Sequence, residues 1–383
     1  RSQAGWHMHA TPGQDDGQQP GVYSTAFAVQ LLCGAAAPEE HALRTQIVAG
    51  MRYLTGQWRD SEAVLGGTRS RCKQYDKKQE VGHTDFQLTL KCVAVMDAAN
   101  AIADIRTRHE EFGRVLDESK GDLDGVAGRI KENVVEWQDE GVAYIGWPWH
   151  FIEAPEQWDI IPTAKVAMAL THPGLRSTPR HLARCREVIN SLEQFAASDA
   201  TVVHKAVASR ALFVLEARMG SGTTEAPRAL PADVDRAAVR QDEYPWQEAL
   251  HYTVPYRSHN VSHHKPWLWL CSRIEIAGAA VMLDPGRGLR LAATTAAEML
   301  TNVHRNNGTV QFLSTQPPTL LAALETQRLL MACQAAASRS PRRRALFMWA
   351  RASSMLRGGL QRCWWLPYSA IAALLIVQHG GGA

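Results

Sequence analysis

The chain has 383 residues, of which 45% are hydrophobic and 21% charged, and a formal net charge of +3. That is a globular composition, long enough for one large core or for two or three domains. The small net charge excludes the global electrostatic footprint of a nucleic-acid binder. In chain order, the polar stretch "GQDDGQQPGVY" passes abruptly into an apolar run with Ser24 and Thr25 at the junction. A helix apolar nearly all round is predicted over 24–35, capped by the hydroxyl residues at its start. Leu43, Ile47, Met51, Leu54 and Trp58 recur every three or four residues and put one apolar stripe on one face. A polar connection covers 66–84, and 85–102 is again apolar all round. Leu123, Val126, Ile130, Val134 and Trp137 predict a second one-sided helix. The run 162–170 is apolar all round. Leu182, Cys185, Ile189, Leu192 and Phe195 form a third one-sided stripe, opened by Thr178 and a proline, Pro179, suited to the first helical position. The run 202–215 is apolar, and 220–243, rich in Gly, Thr, Pro, Ala and charge, reads as a long surface connection. Apolar helices are then predicted over 267–283, 319–336 and 367–377.

The all-apolar segments tend to alternate with the one-sided ones. A helix apolar on every side must be covered on every side, so the pattern predicts two layers: inner helices, and outer helices that bury one stripe and show water the other. The loops before the inner helices are also alike, each with a Gly after an acidic or amide residue and then aromatics. "STAFAVQLL" and "PTAKVAMAL" align without a gap, Thr25 on Thr163, Ala26 on Ala164 and Leu32 on Leu170, a weak internal repeat. One domain with a long loop near 220–243 is the expected organisation over 1–383.

Cys33, Cys72, Cys92, Cys185, Cys271, Cys333 and Cys363 are scattered, odd in number and never paired as CxxC. Most lie in apolar runs, where cysteine acts as a small hydrophobe. This reads as a reducing compartment without disulfide framework or zinc cluster. No signal peptide is visible, and a cytoplasmic location is expected. The chain opens on Arg1, not Met, as a piece of a longer protein would. The apolar run 364–377 is broken by Pro367 and falls short of the roughly 20 residues of a membrane span.

The loop-then-"xTA" pattern resembles the α/α-toroid superfamily, which includes terpenoid cyclases of the squalene–hopene type and protein prenyltransferase β subunits. The residues that carry the likeness are Gln14, Asp15, Asp16 and Gly17 with Ser24, Thr25 and Ala26. Gly141 and Trp147 with Pro162, Thr163 and Ala164 form a second set, and Asn307, Gly308 and Phe312 with Glu325 and Thr326 a third. The resemblance implies an all-α barrel of about six or seven helical hairpins in inner and outer layers. The superfamily's chemistry does not carry over residue by residue. No DxDD is present: Asp122 and Asp124 stand beside Gly125 at a helix start, where acids suit the dipole. Asp15 and Asp16 do not continue into DDxxD, no residues match the prenyltransferase Asp, Cys and His zinc set, and no Cys-His dipeptide exists.

The stretch "HYTVPYRSHNVSHHKPWLWLCSRIEIA" (251–277) holds the densest chemistry. Its histidines precede Pro266 in a loop-like composition, with readings as caps, as weak metal ligands or as acid–base groups. Tyr252, Tyr256, Arg257, His259, His263, His264 and Trp267 are candidates for lining a cavity or its rim, with the loop aromatics Trp147, Trp149 and Trp158. Arg273, Glu275 and Glu325 join them, because charges on apolar helices must be paired or face a wet cavity; Lys91, Asp97, Lys165, His204, Lys205, Arg210 and Arg328 raise the same question. The basic stretch 338–362 reads as a solvated outer helix, an acidic partner or a membrane surface being the sharper options.

The expected function is a non-catalytic ligand- or partner-binding toroid module, part of a larger regulatory or multidomain bacterial protein. It would hold an apolar small molecule or a partner domain, with no cofactor, no metal, no nucleic acid and no membrane span. The alternative is a terpenoid cyclase- or prenyltransferase-like enzyme on an isoprenoid or other apolar substrate, its aromatic walls stabilising a carbocation. An α-solenoid that never closes would still be a binding protein.

Overall fold

The computed structural model describes residues 22–35, 39–59, 88–132, 134–139, 141–148, 160–173, 179–197, 202–219, 249–250, 270–301 and 320–340, with single positions at 232, 234, 341, 345, 347 and 348. Among the described residues the chain is mostly helical, with eleven α-helices and two small antiparallel strand pairs. It divides into two compact units. The first comprises Arg1–Cys33, Glu40–Ala200 and Val207–Thr224; the second comprises Gly34–Glu39, Thr201–Ala206 and Glu225–Ala383.

The first unit opens with α1 (Val22–Gly34), α2 (His41–Arg59), α3 (Leu88–Ile105), α4 (Glu110–Glu118) and α5 (Lys120–Glu132). A hairpin of β1 (Val135–Asp139) and β2 (Val142–Gly146) follows, then α6 (Ile160–Leu170), α7 (Pro179–Ala197) and the carboxyl part of α8 (Val202–Met219). In the first unit the predicted division into two helix classes is visible in burial, whereas the helix expected to be covered all round over 319–336 leaves Met331 and Ala335 exposed. On α6 every residue except Lys165 and Met168 is buried. On α3 Asp97 and Ala101 are partly exposed and Asp104 exposed, spaced four and three apart and therefore on one face. The one-sided helices bury a single stripe: Ile47, Met51 and Leu54 on α2, and Cys185, Val188 and Leu192 on α7.

The covered helices α1, α3 and α6 point in the same direction. At their amino ends the Lys91 ammonium of α3 lies 6.0 Å from the ring centre of Tyr23 on α1. At their carboxyl ends Asp104 of α3 acts on the Cys33 thiol of α1. Asn100 and Asp104 of α3 likewise meet Ala169 and His172 at the carboxyl end of α6. Around them, α2 packs on α4 and α5, both of which pack on α3, and α7 packs on α6 and β2.

Three sequence expectations are corrected. Ser24 and Thr25 do not cap α1 at a rim: the helix begins at Val22, and both hydroxyl residues are fully buried inside its first turns. The stripe from Leu123 to Trp137 is not one helix. α5 stops at Glu132, and Trp137 lies on β1 opposite Tyr144. Gly141, with φ of 83°, supplies the left-handed residue of the turn between Asp139 and Val142, a conformation that a side chain disfavours. The helix expected from 267 begins at Ser272, after a short β4 (Leu270–Cys271) paired with β3 (Ala249–Leu250).

The second unit contains that strand pair and α9 (Ser272–Leu283), α10 (Pro285–Thr301) and α11 (Leu320–Ser338), which pack on one another. A single residue, Asp284, separates α9 from α10. Its Oδ1 accepts from the Gly286 backbone N–H at 3.0 Å, and Pro285 fills the first helical position, so the turn is an N-cap with its preferred residues. The two helices then approach at backbone distance. A Cβ placed on Gly288 would stand 2.1 Å from the Ala280 carbonyl carbon and 2.4 Å from the Val281 nitrogen. The helix expected over 367–377 lies outside the described residues.

Candidate functional site at the carboxyl ends of α3, α6 and α8

A helix leaves its last carbonyls without intrahelical donors. At the end of α6 these groups are answered by side chains from three other helices and by the turn that follows. The Ala167 carbonyl accepts from the Thr171 backbone and hydroxyl at 3.2 and 2.8 Å, with the Cys185 thiol of α7 at 3.9 Å. The Met168 carbonyl accepts from the Arg218 guanidinium of α8. The Ala169 carbonyl accepts from Asn100 Nδ2 of α3 at 3.3 Å and from the His172 backbone at 3.4 Å.

Charges gather on the same joint. His172 Nε2 is 3.4 Å from Asp104 Oδ2, with the imidazole largely buried and the carboxylate 61% exposed. Burial lowers the pKa of Arg218, and the nearby carboxylates Asp97 and Asp104 oppose that shift. Arg218 is exposed as a residue, and it stays charged. The Cys33 thiol is pushed above its ordinary range, first by burial and then by Asp104, with Arg108 partly opposing. A thiol so placed is a poor nucleophile at neutral pH. One polar atom stands apart: Asn100 is buried and its Oδ1 has no hydrogen-bond partner among the described residues. The joint thus presents a carboxylate–imidazole pair, a guanidinium and an amide oxygen able to accept from a donor group.

The described residues place the sequence candidates in two different settings. Trp147, in the first unit, is fully buried and structural in its contacts. Its indole Nε1 donates to the Ile130 carbonyl at 2.8 Å, closing the carboxyl end of α5, and its backbone N–H donates to Thr163 Oγ1 of α6 at 2.9 Å. Arg273, Glu275 and Glu325 belong to the second unit. Arg273 Nε donates to Thr295 Oγ1 of α10 at 3.1 Å, Glu275 is buried on α9, and buried Glu325 accepts from Arg328 at 2.8 Å on α11. Trp149, Trp158, Tyr252, Tyr256, Arg257, His259, His263, His264 and Trp267 lie outside the described residues.

Asn100, Asp104, Thr171, His172 and Arg218 were not singled out from sequence. The available signal was the recurrence of Asp97 and Asp104 two turns apart on an otherwise apolar helix, which marks one wet stripe. Among the described residues no group of three or more His, Cys, Asp or Glu side chains comes together as a metal set, and no helix is long and apolar enough to cross a membrane. The chain matches no protein-family model, no curated protein and no solved structure.

Proposed function

We propose that this chain is a non-catalytic binding module built as an α/α toroid, which holds an apolar small molecule or a partner segment against its inner helices. The observation that carries this reading is the parallel set α1, α3 and α6. Each is covered on nearly every side, and α3 and α6 retain a narrow partly exposed stripe, Asp97–Ala101–Asp104 and Lys165–Met168 respectively. Parallel inner helices returned by outer ones are what a closed ring requires, and stripes of this kind would face its lumen. The charged groups at the carboxyl joint engage one another and the helix ends, which suits positioning better than proton transfer.

Native mass spectrometry of gently purified protein tests the reading. The expected result is a co-purifying mass that Met168→Trp, which fills the stripe on α6, displaces while circular dichroism stays unchanged. Retention of the same mass by Met168→Trp would overturn a lumen site. The second reading, an enzyme acting on an isoprenoid or other apolar substrate, draws on one observation: Glu275 and Glu325 are 4% and 5% exposed on apolar helices, so acidic groups are carried inside the second unit. Turnover of an isoprenoid diphosphate that Glu275→Gln abolishes without unfolding the chain would decide for the enzyme.

A further inference from the structure

The stripe on α3 carries more acceptors than the described residues supply with donors. Asn100 is 3% exposed, and its amide is fixed in the carboxyl joint because Nδ2 donates to the Ala169 carbonyl at 3.3 Å. Its Oδ1 then has no partner among the described residues. Buried polar atoms left so are uncommon, and each calls for a partner. Asp104 stands four residues on, on the same face of the helix, with about 5–6 Å between the β-carbons. Among the described residues only His172 lies within ion-pair distance of this carboxylate, and it engages Oδ2. The Asp104 side chain is 61% exposed, so a ligand reaches the two oxygens from its side.

The donor that such a pair selects is cationic. The carboxyl ends of α1, α3 and α6 meet here, and helix carboxyl ends carry partial negative charge. Asp97 and Asp104 add two carboxylates, against the cations Arg218 and Arg108. Arg218 is not the missing donor. Its guanidinium is held on the Met168 carbonyl, with Thr171 Oγ1 at 3.5 Å. An ammonium nitrogen bonds each of two oxygens at about 2.7–2.9 Å and so bridges acceptors about 4.5 Å apart, the span that side chains one turn apart provide. Beside the pair the surface turns apolar. Ala101 of α3 and Met168 of α6 are its partly exposed neighbours, a strip suited to methylene groups.

We propose that the joint binds the ammonium head of a small alkylamine, which donates to Asn100 Oδ1 and Asp104 Oδ1 while its chain lies along Ala101 and Met168. The inference rests on the reading of these stripes as a ligand-binding surface, and it names the chemical class of the ligand. The test is isothermal titration calorimetry of hexylamine, and of hexanol as its neutral counterpart, on the full chain, with circular dichroism as a folding control. Hexylamine should bind about tenfold or more tighter than hexanol. Asp104→Asn should remove most of that advantage and leave hexanol unchanged, and Asn100→Val should weaken hexylamine as well. Asp117→Asn, an exposed acid elsewhere, should change neither. Unchanged hexylamine binding by Asp104→Asn, or an equal loss with Asp117→Asn, would overturn the assignment. Equal binding of the two compounds, both displaced by Met168→Trp, overturns the ammonium assignment alone and leaves the lumen reading standing. Binding of neither compound, or hexylamine held undiminished by Met168→Trp, overturns both. If Asn100→Val fails to fold, Asp104→Asn decides by itself, since its side chain is exposed.

Discussion

α9 and α10 meet through a glycine at backbone distance, whereas α2 and α4 meet across a groove bridged by arginine–glutamate pairs. Both are neighbouring helix pairs with good local signals for helix, yet the chemistry at the contact is opposite. In the first, contact depends on the absence of a side chain, and nothing flexible is available to move. In the second, long side chains fill the distance and can rearrange in water. The difference predicts where substitution is costly: rigidity against backbone resists change, and solvated charge tolerates it.

The largest effect expected is at Gly288. Gly288→Ala places a methyl group at 2.1–2.4 Å from the Ala280 and Val281 backbone, so α10 must separate from α9. A loss of about 3 kcal/mol or more is expected, read as a fall in denaturation midpoint or as loss of soluble protein. Ala280→Gly should not rescue it, because the obstructing atoms are main-chain. Rescue would show that the helices meet through side chains after all.

Trp147 stands between the two extremes: a side chain, but one fixed by hydrogen bonds. Trp147→Phe keeps an aromatic ring and leaves the Ile130 carbonyl without its donor, a cost of about 1–3 kcal/mol. The change should appear in the urea midpoint at unchanged slope. Thr163→Val removes the neighbouring hydroxyl that accepts from the Trp147 backbone. The double variant should lose less than the sum of the two, since both act on one joint. Full additivity would separate the hairpin anchor from the α6 anchor.

Burial sets a third response, in pH. Burial pushes the Cys185 and Cys333 thiols up to about 12, above their value in the unfolded chain. The folded state therefore keeps protons that the unfolded state gives up. Their stabilising contribution is complete below about pH 9 and is lost as pH rises towards 12. Thermal unfolding across that window should move steadily downward. At pH 9 a thiol reagent should label these cysteines only after denaturant is added, and prompt labelling of native protein would contradict their placement.

The two helix pairs also mark how far the sequence could be read. The apolar runs and one-sided stripes announced α1, α2, α3, α6, α7, α8, α9 and α11 because burial on a helix imposes its own period. The β hairpin after α5 was hidden because Val134 and Trp137 continue the helical spacing by chance. Only Gly141, with its positive φ, signals the reversal. α10 was passed over although "DPG" carries its cap in the open. The joint of Asn100, Asp104, His172 and Arg218 was illegible for a different reason. Its members come from α3, α8 and the turn after α6, spread from position 100 to 218, and only tertiary packing brings them together. Periodicity reports which face of a helix is buried; it does not report which neighbour covers it.

The smallest effect expected is at the Arg52–Glu118 pair between α2 and α4. Arg52→Ala removes three hydrogen bonds to Glu118, but the two side chains are 56% and 44% exposed, so water replaces what is lost. A change of about 0.2–1 kcal/mol is expected, smaller at high salt, and it should equal that of Glu118→Ala because each deletes the same pair. A loss approaching that of Gly288→Ala would mean that α2 and α4 are held by charge and not by the apolar stripe of Ile47, Met51 and Leu54 beneath them.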